Sequence, residues 1–213
     1  MTSGTLLQTL IGHSDFIYAL AKLENNLLAS GSDDATTKIW NLTSSKLLQT
    51  LVSDRYGIQT LILLDNNLLA SAYLFGINVW NVTSETLAYN FQSEFYPLYL
   101  PLAKLNYTLL ASASIDNSIK IWDLKLGIQR FNLTGHTDEI TTLISCDNTK
   151  NLLLASGSKD KTIKIWNFNL TSRSSNLLYD LIGHSSYVTS LVSFNDESVV
   201  SSSYDSTILV WNI

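Results

Sequence analysis

The chain has 213 residues, 46% of them hydrophobic, and a net charge of −5 at pH 7. This length and composition predict one folded domain with ample material for a core. The basic residues are few and scattered singly, which argues against nucleic acid or an anionic membrane as a partner.

Cysteine usage and the N-terminus bear on the compartment. Cys146 is the only cysteine, which excludes an internal disulfide and a cysteine-based metal cluster and favours a reducing environment. The first residues lack the features of a signal peptide, and no apolar run approaches the ~18 residues needed to span a bilayer. The sequence therefore predicts a cytoplasmic protein, although the same features suit the nucleus, and it has no Gly-rich phosphate loop or other cofactor motif.

Short apolar runs separated by turn residues follow one another along the chain. The first group contains FIYALAKL (16–23), NLLASGS (26–32), TTKIWNL (36–42) and KLLQTL (46–51). None of these runs keeps a helical period over 10–12 residues, and the inner ones carry apolar residues on both faces. They predict an all-β fold in which each group forms four antiparallel strands packed between like sheets.

One motif then recurs five times. Its copies are ASGSDDATTKIWN (29–41), ASAYLFGINVWN (70–81), ASASIDNSIKIWD (111–123), ASGSKDKTIKIWN (155–167) and SSSYDSTILVWN (201–212). The five tryptophans, one per copy, are spaced by 40, 42, 44 and 45 residues. A period in this range is typical of an array of like units. The predicted units are 11–51, 52–91, 92–133, 134–181, and 182–213 together with 4–10.

The two ends of the chain supply complementary parts of one repeat unit. GTLLQTLIGH at 4–13 closely repeats SKLLQTLVSD at 45–54, so the chain opens on the last strand of a unit. Residues 187–213 supply only the other three strands. We therefore expect residues 5–10 to pair with this last sheet, which would seal the edges of the array.

The combination of Gly-His, Ser-x-Ser-x-Asp and, six residues later, Trp-Asp or Trp-Asn resembles the WD-repeat family of β-propellers. The resemblance covers nearly the whole chain and implies a single propeller domain over 1–213, closed by a strand from the opposite terminus. Propellers of this family most often have seven blades, whereas the sequence contains five units. The sequence is compatible with a closed five-blade ring, with an open arc and with a fragment of a larger protein. A closed ring would be a monomer, whereas an open arc would dimerise.

Ser, His and Asp recur together in units one, four and five. A hydrolase would need one such set with an exposed serine, whereas three sets occur, each linked to a tryptophan. The family resemblance implies a buried structural relay instead, so we predict no enzyme, no catalytic residue and no metal. The relay residues are His13, Ser30, Asp34 and Trp40; His136, Ser156, Asp160 and Trp166; and His184, Ser201, Asp205 and Trp211.

Units two and three lose the Gly-His pair, and unit two also loses the turn aspartate. Both losses fall on one end of the blades, where aromatic residues and an arginine stand instead. One interpretation is simple decay of the repeat, with the rings folded inward. The other is a partner-binding rim, since Tyr and Arg are common interface anchors. By resemblance, the partner-binding positions are Arg55, Tyr56, Phe95, Tyr96, Lys159, Tyr187 and Tyr204.

These observations predict a non-catalytic scaffold that binds proteins or peptides. A propeller that binds small ligands or glycans through aromatic pockets is the alternative from another class. A hydrolase, including one with a glycosidase pair of carboxylates, is third, because most acidic residues stand at turn positions of the repeat.

Overall fold

The computed structural model describes residues 4–53, 56–65, 67–92, 100–147, 152–169, 174–195 and 197–213. Within these ranges, nineteen strands form five antiparallel sheets, four with four strands and one with three. The predicted all-β fold of repeated four-stranded sheets is therefore confirmed. Among the same residues, no helix is long and apolar enough to cross a membrane.

The chain divides into two compact units, Met1–Gln92 and Ser93–Ile213. The first unit contains two sheets with the strand orders β1-β2-β3-β4 and β5-β6-β7-β8. Its strands are β1 (Ile17–Lys22), β2 (Leu27–Ser32), β3 (Thr36–Asn41), β4 (Lys46–Val52), β5 (Ile58–Leu63), β6 (Leu68–Tyr73), β7 (Gly76–Asn81) and β8 (Thr86–Gln92). These bounds follow the four apolar runs predicted for each repeat.

The second unit contains three sheets, with the orders β9-β10-β11-β12, β13-β14-β15-β16 and β17-β18-β19. Its strands are β9 (Leu102–Lys104), β10 (Leu109–Ala113), β11 (Ile119–Asp123), β12 (Ile128–Leu133), β13 (Ile140–Asp147), β14 (Leu152–Ser158), β15 (Thr162–Asn169), β16 (Ser174–Ile182), β17 (Val188–Asn195), β18 (Ser198–Ser203) and β19 (Ile208–Asn212).

The inner strands of each sheet form the core. Ala29 of β2 and Ile39 of β3 are fully buried, and Ala155 and Ile165 are buried in the same way in β14 and β15. Both faces of these strands are covered because like sheets pack face to face, which explains why their sequences do not alternate cleanly between polar and apolar residues. One such core joins the first two sheets around Ile58.

A bulge at the tryptophan recurs in all four of the four-stranded sheets. Ile39 pairs with Gln49, but its neighbour Trp40 pairs with Leu47, so β4 contains one extra residue at this point. The same shift occurs between Val79 and Trp80, between Ile121 and Trp122, and between Ile165 and Trp166. An extra residue sharpens the local twist, and it does so at the same place in each sheet.

The structure does not show the predicted closure by the N-terminal strand. Residues 4–13 belong to no strand, and the last sheet consists of β17, β18 and β19 alone. The segment lies beside the first sheet, where the Ser45 hydroxyl donates a hydrogen bond to Gln8 Oε1. A β-carbon added to Gly12 would lie 2.9 Å from the Trp40 ring. These contacts hold the segment beside the first sheet, which follows it in the chain.

Candidate functional site

Three buried chains of polar side chains run inward from the ends of the first, fourth and fifth sheets. In each, the tryptophan comes from the third strand of the sheet and the serine from the second. The histidine precedes the first strand, and the aspartate lies in the turn between the second and third strands. We call each set a relay, and the three comprise His13, Ser30, Asp34 and Trp40; His136, Ser156, Asp160 and Trp166; and His184, Ser201, Asp205 and Trp211.

The three relays have nearly the same geometry. The tryptophan Nε1–H donates to the serine Oγ over 2.7, 2.9 and 2.8 Å in the first, fourth and fifth sheets. The histidine Nε2 lies 2.7, 2.8 and 2.7 Å from the same oxygen. The histidine Nδ1 lies 2.8, 2.7 and 2.8 Å from the aspartate Oδ2. The structure therefore brings together all twelve predicted relay residues.

One pattern of protons satisfies every group in a relay. The indole N–H only donates and an ionised carboxylate only accepts. The imidazole then carries its proton on Nδ1 and donates it to the aspartate, while Nε2 accepts the serine O–H. This tautomer is also the one that a serine nucleophile requires, so the hydrogen bonds alone do not distinguish a structural relay from a catalytic triad.

The hydroxyl groups of the three relay serines are buried. Ser30, Ser156 and Ser201 are only 3%, 0% and 1% exposed, and each hydroxyl already accepts the indole N–H. A nucleophile must reach the substrate next to donors that stabilise an oxyanion.

The relay aspartates also hold the turns in which they lie. Asp160 Oδ1 accepts the backbone N–H of Thr162 at 2.9 Å and the Thr162 hydroxyl at 2.7 Å. Burial raises the pKa of the Asp160 carboxyl, but hydrogen bonds from His136 and Thr162 outweigh burial and bring its pKa well below the ordinary value. In Asp205, the hydrogen bond from Thr207 is the main cause of a similarly lowered pKa.

The lowered carboxylate pKa values predict a loss of stability in acid. A group whose pKa is lower in the folded protein stabilises it above the unfolded pKa, near 3.8, and loses this effect as the pH falls towards the folded pKa. We expect the free energy of unfolding to decrease as the pH is lowered past about 4, because the relay carboxylates then become protonated. Urea unfolding between pH 7 and pH 3 measures this dependence.

An Asp160→Asn variant is the control for the acid dependence. It keeps the shape of the side chain but removes the carboxylate that titrates. We expect it to be less stable than the parent at pH 7 and to have a shallower dependence below pH 4. The same dependence in both proteins would contradict the assignment of this titration to the relay.

The second sheet replaces the relay with an amide network that sequence reasoning missed. Trp80 still donates to Ser71 at 2.9 Å. Beside them, the buried Asn78 donates to the Ser53 hydroxyl at 3.1 Å and accepts from Asn90 at 2.6 Å. The signal for this network is Asn78 itself, an amide at a strand position where the other four-stranded sheets have lysine.

The turn between the second and third strands is one residue shorter in the second sheet than in the first. In the first sheet, Asp33 to Ala35 connect β2 and β3, and Ala35 has a φ of 62°. In the second sheet, Tyr73 pairs directly with Gly76, leaving a turn of two residues. The lost residue explains the missing aspartate, and the buried Tyr73 takes the place of a serine.

The predicted partner-binding residues fall into three groups. Arg55, Phe95 and Tyr96 lie outside the described residues. Tyr56 is partly exposed in the first unit and packs on Phe75, with 4.3 Å between ring centroids. The other three predicted residues, Lys159, Tyr187 and Tyr204, lie in the second unit.

The residues of the second unit differ in how they are held. The Lys159 ammonium lies 2.5 Å from the Glu139 carboxylate in the neighbouring loop, so its charge is paired. Tyr187 and Tyr204 are both exposed and meet edge to face, with centroids 6.2 Å apart. The Tyr204 backbone N–H donates to the Tyr187 carbonyl at 3.0 Å, which fixes the two loops to each other.

No metal centre is formed by the described residues, which contain no group of three or more His, Cys, Asp or Glu side chains able to hold an ion. Each relay histidine already uses both ring nitrogens in hydrogen bonds. In the part of the chain that the structure describes, the relay serines are thus buried, whereas the candidate binding residues Tyr56, Tyr187 and Tyr204 are exposed.

Comparison with known proteins identifies the repeat. The profile of the family described as "WD domain, G-beta repeat" matches residues 4–41, 104–123, 127–167 and 175–212, which is more than half of the chain. The unmatched stretch, 42–103, includes the sheet in which the amide network replaces the relay. The structure nevertheless gives that sheet the same four-stranded order as its neighbours.

Individual relatives agree with the family match. An uncharacterized WD repeat-containing protein of Schizosaccharomyces pombe is 28% identical over 225 aligned residues, covering 100% of this chain and 58% of the relative. Coronin-7 of mouse and coronin-7 of rat are each 38% identical over 71 residues, covering 33% of this chain and 7% of their own length. The chain therefore spans little more than half of the yeast relative.

Proposed function

Since the chain belongs to the WD40 family of WD-domain, G-beta repeat proteins, we propose that it is a non-catalytic scaffold that binds other proteins or peptides. Its contacts are made by the loops at the relay end of the sheets. Proteins of this family generally mediate protein–protein interactions. This chain carries two pairs of aromatic rings in loops at the relay end of its sheets, Tyr56 with Phe75 and Tyr187 with Tyr204.

The observation that carries the proposal is the pair of Tyr187 and Tyr204. Large amphipathic rings are costly to expose unless a partner covers them, and tyrosine is among the residues most enriched at interface hot spots. The two rings support each other edge to face, and a backbone hydrogen bond fixes their loops. Little conformational freedom remains to be lost on binding, which favours affinity.

The burial of the serines supports the non-catalytic part of the proposal. The relay serines face a tryptophan ring rather than solvent, and each turn aspartate is held by the threonine two residues later. In this arrangement, the Ser–His–Asp sets keep the binding loops in place. They position the ends of the loops and make no contact with the partner.

A capture experiment tests the proposal. Immobilised parent chain and a Tyr187→Ala/Tyr204→Ala double variant are compared for the proteins that each retains and for the affinity of a retained partner. We expect the double variant to bind roughly tenfold or more weakly, since each anchor contributes about 1–2 kcal/mol. The melting temperature should stay the same because both rings are exposed.

Tyr107→Ala is the matched control. Tyr107 is 77% exposed and lies in the turn between β9 and β10, at the opposite end of its sheet from the relay loops. This variant should retain partners as the parent does. Equal retention by the double variant would contradict the proposal. Retention on a sugar matrix with release by free sugar would favour the glycan-binding alternative instead.

The proposal places the scaffold in the cytoplasm. The one cysteine of the chain, Cys146, is buried in the core of the second unit, where a reducing compartment preserves its thiol. Fractionation of cells with detection of the native chain tests this location, and recovery mainly from a secreted or organelle fraction would contradict it.

A further inference from the structure

Polar side chains pair at one matched position of the four-stranded sheets. The residue two before the tryptophan on the third strand lies opposite a residue of the fourth strand. The four pairs, in chain order, are Lys38 with Thr50, Asn78 with Asn90, Lys120 with Asn132, and Lys164 with Asp180. Each pair lies within a single sheet, so the comparison does not depend on how the sheets or the two units are arranged.

The fourth sheet has a complete ion pair at this position. Lys164 is 5% exposed, and its Nζ lies 2.7 Å from Oδ2 of Asp180. A buried ammonium group is costly unless an anion lies beside it. The Asp180 carboxylate therefore supplies the charge that the buried lysine requires.

The first sheet has the same buried lysine without the carboxylate. Lys38 is 8% exposed, and its Nζ donates to the Thr50 hydroxyl at 3.1 Å. Among the residues that the structure describes, no acidic side chain forms an ion pair with Lys38. A hydroxyl accepts one of the three N–H groups of the lysine but does not balance its charge. The first sheet thus places a hydroxyl where the fourth sheet has the anion.

The Thr50 hydroxyl lies on an accessible strand. Thr50 is exposed, and β4 is the outermost strand of its sheet. An edge strand is hydrogen bonded on one side, so opening it locally costs less than opening an inner strand. The matching Asp180 side chain is also 41% exposed, although its sheet packs against others on both faces. Exposure at this position therefore does not come from the place of the sheet in the chain.

We propose that Thr50 is a phosphorylation site whose phosphate is received by Lys38. In this reaction, which a protein kinase catalyses with ATP, Thr50 Oγ bonds to the γ-phosphorus as the bond from phosphorus to the ADP oxygen breaks. The hydroxyl proton passes to a base of the kinase. The product carries a charge of about −1.5 to −2 and three acceptor oxygens.

The phosphate has a defined role in the first sheet. Its oxygens are attached through phosphorus to the same Oγ that already meets Lys38 Nζ, so they lie within reach of the ammonium. Phosphorylation then gives the first sheet the ion pair that the fourth sheet has from Asp180, and it stabilises β4 against opening. This inference does not depend on the proposed function.

A pair of variants at position 50 tests whether an anion there meets Lys38. Thr50→Asp introduces a carboxylate, and Thr50→Asn is the uncharged control of the same shape. From urea unfolding, we expect the folding equilibrium constant of Thr50→Asp to exceed that of Thr50→Asn about threefold to tenfold. The difference should disappear in a Lys38→Met chain, or in a Lys38→Gln chain if the first does not fold.

The fourth sheet calibrates this experiment. Asp180→Asn should lower the folding equilibrium constant by a similar factor, and it should have little effect in a Lys164→Met chain. If Asp180→Asn is destabilising while Thr50→Asp is no more stable than Thr50→Asn, the position in the first sheet does not receive an anion and the proposal is wrong.

Phosphopeptide mapping tests whether the modification occurs. The chain is isolated from its own cells with phosphatase inhibitors present, and we expect mass spectrometry to find phosphate on Thr50. The phosphorylated fraction should unfold at a higher urea concentration than the same fraction after phosphatase treatment. Phosphate on other residues alone, or on none, would overturn the proposal. Stabilisation of the parent by inorganic phosphate through Lys38, with Thr50 unmodified in cells, would also overturn it, because the anion would then be a free one.

Discussion

Replacing Ser156 by alanine is expected to lower the free energy of unfolding by about 2 to 4 kcal/mol. The Ser156 hydroxyl accepts the Trp166 N–H and meets His136 Nε2, and all three groups are buried. Each buried polar group left without a partner costs about 1–3 kcal/mol, and two groups lose theirs here. Urea unfolding measured by tryptophan fluorescence and by circular dichroism provides the value.

Ser71→Ala in the second sheet is the matched control. Ser71 is also fully buried and accepts the Trp80 N–H, but no histidine lies beside it among the described residues, and its other described contact is the Asn78 carbonyl at 3.4 Å. We expect about half the loss found for Ser156→Ala. Equal losses would show that the histidine adds nothing to the relay, and loss of a measurable turnover by Ser156→Ala at unchanged stability would overturn its structural role.

Replacing Gly31 by alanine is expected to destabilise the first unit by about 1–2 kcal/mol. The new β-carbon would lie 2.5 Å from Ile58 Cγ2 and 2.9 Å from Ile58 Cβ. Both atoms are next to the backbone of a strand, so they have little freedom to move away. Overpacking of this kind typically costs about 1–3 kcal/mol, part of which alanine recovers by restricting the unfolded chain.

Gly4→Ala is the control for this second change. A β-carbon added to Gly4 meets nothing within 4 Å, so this variant should unfold at the same urea concentration as the parent. A Gly31→Ala protein as stable as Gly4→Ala would show that the two sheets are packed less closely than the structure indicates.

The sequence by itself determined the strands, the repeat and the composition of the relays. Short apolar runs bounded by Asn, Asp and Gly specify strands because local chain geometry and burial both act over a few residues. The spacing from serine through aspartate to tryptophan fixes which groups meet, since antiparallel pairing of neighbouring strands brings these positions together. For this reason, all twelve relay residues were named from the sequence alone.

The tertiary structure decided what depends on contacts between distant parts of the chain. The sequence of residues 4–13 matches a fourth strand, yet in the structure the segment belongs to no strand and contacts Ser45 and Trp40 of the first unit. A sequence match alone does not encode which partner a segment contacts. The amide network around Asn78 arose in the same way, from residues that only sheet pairing brings together.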